Sequence, residues 1–160
     1  MSGLPVALPI SRSLSAMFAD DFRQEVDGKI TIVGMYQGRM IFPSFPASVA
    51  KLAVSMTVVT TTDRPFEKLI YKLYKDDEQI FEQAVSEEHF LKLKAESAAY
   101  DPATSNQGVD ASFFVILGPL SFEGPCTIRC RAETEEGEMG TRPLRVLCSS
   151  DAGAVEESVT

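Results

Sequence analysis

Asp20, Asp21, Glu25 and Asp27 fall within eight residues in FADDFRQEVDGKITIVGMY, residues 18–36. Carboxylates clustered on a loop are the ligands that hard cations such as calcium take. Their spacing departs from the D-x-[DN]-x-[DN]-G loop of calcium sites. Arg23 and Lys29 sit among them with opposite charge, and Asp27-Gly28 reads as a turn needing a positive φ. The pattern therefore favours a solvated, internally paired loop over a metal site.

His89 is the single histidine, the one side chain whose unperturbed pKa suits proton transfer near neutrality. Combined with the Asp20–Asp27 acids it would make a small hydrolase. Such a base needs a nucleophile and an orienting group beside it, and the chain has no G-x-S-x-G elbow, no His-acid-Ser order and no Cys-His motif. Cys126 and Cys130 share one expected strand and stand roughly 13 Å apart along it. That separation defeats both a disulfide, which reaches about 7 Å, and a compact zinc site with His89. Three reduced thiols in a cytoplasmic protein is the expectation. The glycines form neither a phosphate loop nor a dinucleotide fingerprint. No catalytic, cofactor-binding or metal-ligating residue is expected, and no cofactor.

One loop, RMIFPSFPASVAKL (39–52), holds a stiff apolar segment: Ile41, Phe42, Pro43, Phe45 and Pro46. Exposed, it would be a partner-binding patch; folded inward, it would close one end of the domain.

The elements that must position these residues read mostly as strands, because apolar and polar residues alternate with period two between turn signals. LAVSMTVVT (52–60) puts Leu52, Val54, Met56 and Val58 on one face. LIYKLYK (69–75) and QIFEQAV (79–85) flank a tight turn at Asp76-Asp77-Glu78. In CTIRCRAE, Cys126, Ile128, Cys130 and Ala132 face one way, and MGTRPLRVLC follows as its hairpin partner, at an edge or starting after Pro143. SFFVIL (112–117), apolar on both faces, reads as a central, covered strand, with Phe18, Ile30, Ile32, Ile116 and Ile128 in the core. SEEHFLKLKAESAAY contains one short helix near 86–98, followed by a loop over 101–108.

About eight short strands in a chain this long predict a mainly all-β fold, an antiparallel β-sandwich with an immunoglobulin-like pattern. A barrel is the alternative. The hairpins LYKDDEQIFE and GPCTIRCRAETEEGEMGTRPLRV carry the immunoglobulin-like likeness, although the chain has no Trp and no spaced cysteine pair. One domain is expected over 13–148, between flexible tails at 1–12 and 149–160.

Charge narrows the function classes. The net charge of -8 repels phosphate backbones, and the basic residues form no cluster, so nucleic acid is not an expected partner. No apolar run approaches the roughly 20 residues of a membrane helix, and the N-terminus lacks the basic start of a signal peptide.

At FADDFRQEVDGKITIVGMYQGRM and FPSFPASVAKLAVSMTVVTTTDRPFEKLIYKLYKDDEQIFEQ the chain resembles an uncharacterised family of small bacterial and bacteriophage proteins. Its members run through DD-x-R-x-E, a Gly-Lys turn, a hydrophobic-x-G-x-Y strand, a P-x-FP loop and a DDE hairpin. Here these are Asp20-Asp21, Arg23, Glu25, Gly28-Lys29, Gly34, Tyr36, Pro43, Phe45-Pro46 and Asp76-Asp77-Glu78. The resemblance implies a bacterial or phage context and no catalytic residues. With it, the expected role is a non-enzymatic protein-interaction or structural accessory module that pairs with another protein or with itself. A carbohydrate-binding sandwich and a DNA-mimic inhibitor are further alternatives, weakened by the missing Trp and by charge spread thinly along the chain.

Overall fold

A computed structural model describes residues 11–99 and 108–153. Its elements run β1 (Ser13–Gln24), β2 (Ile30–Tyr36), β3 (Arg39–Phe42), β4 (Ala47–Val49), β5 (Leu52–Thr61), β6 (Leu69–Lys75), β7 (Glu78–Ala84), α1 (Glu87–Ala98), β8 (Gly108–Leu117), β9 (Leu120–Phe122), β10 (Cys126–Thr134), β11 (Gly137–Gly140), β12 (Leu144–Cys148) and α2 (Ser149–Ala152). The fold is mainly β, as the alternation predicts.

Four strands form an antiparallel sheet in the order β2-β1-β5-β8. A six-stranded sheet runs β3-β12-β10-β6-β7, with β11 also on β10. It is mixed, because β3 lies parallel to β12 while the other pairs are antiparallel. β4 and β9 form a small antiparallel pair. One cluster of buried side chains draws on both larger sheets: Val54, Met56 and Val58 from β5, Leu69, Tyr71 and Leu73 from β6, and Ile128 and Cys130 from β10. Tyr71 spans the two. Its hydroxyl donates to the Ala111 carbonyl of β8 at 2.8 Å, and its ring stacks on Phe113 at 5.2 Å.

The turns carry the chemistry their sequences require. Asp76, at φ +51, joins β6 to β7, and its carboxylate accepts the Thr127 amide at 2.9 Å and hydroxyl at 3.1 Å. A short acidic turn thereby ties β6 to β10. Gly28, at φ +80, supplies the left-handed residue of the β1–β2 turn, where the Glu25 amide donates to the Lys29 carbonyl. Ser86 accepts the His89 amide at 3.3 Å and starts α1, with Glu87 and Glu88 in the first turn, where the helix dipole favours acids. The chain before β1 is anchored by Arg12, whose guanidinium contacts the Thr60 hydroxyl, the carbonyls of Arg64 and Pro65, and the Phe66 ring. Its buried Nη1 forms an ion pair with the Glu135 carboxylate.

Several sequence expectations need correcting. Phe18 and Ile128 are buried, but Ile30 and Ile32 are each 42% exposed and Ile116 is 52% exposed. β1 pairs with β5 only through Ser13–Ala19, so the end of the β1–β2 hairpin, where Phe22 faces Ile32 and Gln24 faces Ile30, extends past the sheet with no third strand paired to it among the described residues. SFFVIL is not a central strand. It belongs to β8, an edge of the four-stranded sheet, with Phe113, Val115 and Leu117 turned inward and Phe114 and Ile116 outward.

The second half of the expected terminal hairpin divides at Pro143 into β11 and β12. Both lie on the same side of β10; β12 starts directly after Pro143, as one of the two expectations has it, and pairs with β3 rather than forming an edge. The helix expected near 86–98 is α1. Of the segment expected as a tail, Ser149–Ala152 form one helical turn beside β12 and β3. The loop expected over 101–108 and the tail residues 1–10 and 154–160 lie outside the described residues, apart from Gly108, which begins β8.

Candidate functional site

The four acids do not converge. β1 sends the side chains of Asp20 and Asp21 to opposite faces of the strand, and each of the four acids has its own partner. Asp20 accepts the Tyr36 hydroxyl at 2.5 Å. Asp21 lies between Lys51 at 2.9 Å and Arg23 at 3.3 Å; the Lys51 bond, then Arg23, holds its carboxyl below the usual range. Glu25 accepts the Thr31 hydroxyl at 2.7 Å. Asp27 pairs with Lys29, which lowers its pKa. Burial, then the hydrogen bond to Asp20, pushes the Tyr36 phenol up to about 12. Among the described residues, no group of three or more His, Cys, Asp or Glu is placed to hold a metal ion.

His89 lines a cleft between β7 and β8, with Tyr71, Phe113 and Val85 as its apolar wall and Gln83, Ser86 and Ser112 as its polar groups. Among the described residues, no carboxylate lines it. Ala111, Ser112 and Phe113 of this cleft sit level with Val58, Thr57 and Met56 of β5, and through them with Leu14, Ser15 and Ala16 of β1. Asp20 is four residues further along β1, about 13 Å at the rise of a strand. Among the described residues, no hydrogen bond or ion pair joins His89 to the 20–27 acids.

The cysteines are free thiols: Cys130 is buried, and Cys126 and Cys148 are half-buried. The apolar segment at 39–52 divides. Phe42 and Phe45 pack together at 6.0 Å, and Phe42 meets the buried Phe122 at 5.6 Å, so these rings close one end of the core. Ile41, Pro43 and Pro46 stay exposed.

A further group of exposed apolar side chains lies on the outer face of the four-stranded sheet. In register across all four strands run Met35, Ala19, Ala53 and Ile116. The two alanines are fully covered, while Met35 is 51% and Ile116 52% exposed, so the exposed apolar side chains of this row stand at its two ends, on β2 and β8. Phe114, 46% exposed, extends this face one step along β8, and the Phe22 ring meets its edge at 5.7 Å. Phe22 has the strand parity of the inward-facing Phe18, yet it contacts an outward-facing residue. Gly34, at φ +63, lies opposite the intervening Asp20 position and redirects the hairpin there. Asp21, Arg23 and Lys51 form a charged rim.

Sequence reasoning missed this face because a strand apolar at both parities reads the same whether its second face is covered or bare. The small residues Ala19 and Ala53 beside large apolar neighbours were the available signal.

Among the described residues, no helix is long and apolar enough to cross a membrane. No curated protein matches the chain. A family of unknown function (DUF6941) matches residues 14–147, and the chain belongs to that family.

Proposed function

We propose that the chain is a non-enzymatic protein-interaction or structural accessory module, of bacterial or bacteriophage origin and cytoplasmic, which offers the outer face of its four-stranded sheet to a protein partner. The observation that carries this reading is the set of exposed apolar side chains Met35, Phe114 and Ile116 on one face of the four-stranded sheet, with Asp21, Arg23 and Lys51 as charged neighbours. An apolar centre with a charged rim is the anatomy of a protein interface, and contiguous exposed apolar surface marks interaction sites. The three free thiols suit a reducing compartment.

The scaffold in this reading is an immunoglobulin-like β-sandwich. With β1, β5 and β8 as strands A, B and E, and β6, β7, β10 and β12 as C, C′, F and G, the orders A-B-E and G-F-C-C′ follow that topology. The shared core and the Tyr71–Ala111 bond between the sheets support it.

Site-directed photo-crosslinking in host cells tests the role. A photoreactive residue at Met35 or Ile116 should give protein adducts that the same residue at Glu82 or Arg145, exposed on the other sheet, does not. Equal yields from all four positions would overturn the reading.

A further inference from the structure

We propose that Arg39, Arg129 and Arg145 form an anion site on the outer face of the six-stranded sheet, which takes the phosphate group of a small phosphate monoester. The site belongs to the other sheet from the protein interface above and is independent of that reading.

The arginines of this chain divide evenly. Arg12, Arg23, Arg64 and Arg131 each pair with an acid, whereas Arg39, Arg129, Arg142 and Arg145 have no acid partner among the described residues. Three of the unpaired four stand together. Met40, Ile128, Leu144 and Val146 are buried in the core, so the residues that alternate with them, Arg39 of β3, Arg129 of β10 and Arg145 of β12, project from the opposite face. Arg39 is level with Arg145 on the next strand, and Arg145 is level with Thr127, two residues from Arg129. Strand spacing then sets Arg39 about 5 Å and Arg129 about 7–8 Å from Arg145, Cα to Cα. Like charges in register on adjacent strands destabilise a sheet, and here no carboxylate relieves them. Asp76, beyond Thr127, commits its Oδ1 to the Thr127 amide and hydroxyl. Among the described residues, neither Asp76 nor Asp151 of α2 forms an ion pair with the three arginines.

Three adjacent guanidinium groups favour phosphate over other anions. A carboxylate carries one charge on two oxygens and is matched by one guanidinium fork. A phosphate monoester carries about -1.5 to -2 near neutral pH and has three acceptor oxygens, so it engages two or three forks at once. Arg39 and Arg129 are half-buried and Arg145 is exposed, which leaves the cluster partly shielded from water yet open to a ligand. The net charge of -8 repels a long polyanion such as nucleic acid, and a small ligand meets far less of that field. Room for the organic part of such a ligand lies beside Arg39. There Gln37, Arg39, Ile41, Ala152 and Gly153 line a groove of about 410 Å³, which offers one amide and an apolar wall.

Titration of the full chain with phenyl phosphate, followed by NMR at the arginine Nε–Hε resonances, tests the site. The signals of Arg39, Arg129 and Arg145 should shift together and saturate, while those of the acid-paired Arg23 and Arg64 stay in place. Arg39→Gln and Arg145→Gln should each weaken binding by about tenfold or more. Each also removes a like-charge neighbour, so a thermal melt should show both variants folded. Inorganic phosphate should shift the same three signals with lower affinity, because no part of it reaches the groove. Succinate, a dicarboxylate, should bind at least about tenfold more weakly than phenyl phosphate. Four results would each overturn the proposal: no saturable shift up to about 10 mM, equal shifts at Arg23 and Arg64, affinity indifferent to both glutamine variants, or inorganic phosphate or succinate as tight as phenyl phosphate. A phosphoserine peptide that binds more tightly than phenyl phosphate would put a protein in place of the small molecule, and would overturn it as well.

Discussion

The Asp20 carboxylate fills the space where a side chain at position 34 would begin: a Cβ on Gly34 would lie 2.0 Å from Asp20 Oδ2. Gly34 also has φ +63, a conformation that costs other residues on the order of 1–3 kcal/mol. Asp20 is not free to swing aside, because its other oxygen accepts the Tyr36 hydroxyl. Gly34→Ala should destabilise the fold by about 2–4 kcal/mol in urea unfolding. Adding Asp20→Ala should recover part of the loss. Strict additivity of the two changes would show that the residues do not compete for this space.

Tyr71 is the polar link between the two larger sheets. Tyr71→Phe keeps the stack on Phe113 but leaves the Ala111 carbonyl without its donor, at a cost of about 1–3 kcal/mol. Tyr71→Ala also empties a fully buried site and should cost about 3–5 kcal/mol. Chemical denaturation of the two variants separates the hydrogen bond from the packing.

How much of this was legible in the sequence depended on whether a strand has one wet face. β5 alternates Leu52, Val54, Met56 and Val58 with Ser55 and Thr57, and those four side chains are buried as the alternation requires. The Asp76-Asp77 turn and the positive φ of Gly28 follow from local backbone chemistry, and both were readable. At 30–36 and 112–117 both parities are apolar, and burial there depends on which strands lie alongside. Strand order is a non-local property that periodicity does not carry. The pairing of Asp21 with Lys51 was equally hidden, since it needs β1 and the start of β5 to be neighbours.

The corrected isoleucines make this difference measurable. Ile32→Thr on the hairpin extension should change stability by less than about 0.5 kcal/mol, the usual range for surface substitutions. Ile128→Ala, in the core, should cost about 2–5 kcal/mol. Comparable losses from the two would mean that the β1–β2 hairpin packs into the core after all.

Glu133 receives Lys68 and Lys72 together, and these two bonds, Lys68 first, pull its carboxyl from 4.5 down to about 2. A folded-state pKa below the unfolded one means that the ionised group stabilises the fold above about 4.5, and that this contribution fades as pH falls towards about 2. The site is open to water, so salt should weaken the effect. Glu133→Gln should lower Tm near neutral pH, and the gap from the wild-type chain should close as pH falls through that window. A gap independent of pH would remove the ion pairs as its cause.

The thiols should differ in reactivity although all three are free, because the thiolate is the reacting species and its population follows local solvation. Burial pushes the Cys130 thiol up to about 12, and burial, followed by the Asp76 charge, raises Cys126. Cys148 is shifted the other way, first by a hydrogen bond from the Ser150 side chain and then by the Ser150 amide. Its own thiol donates to the Pro43 carbonyl at 3.4 Å, and a thiol is a weak donor. With an alkylating reagent at neutral pH, Cys148 should react first, Cys126 more slowly, and Cys130 only once the chain unfolds. Ser150→Ala should slow the first phase alone. Mass spectrometry of the timed products reads the order, and early modification of Cys130 would contradict its burial between the sheets.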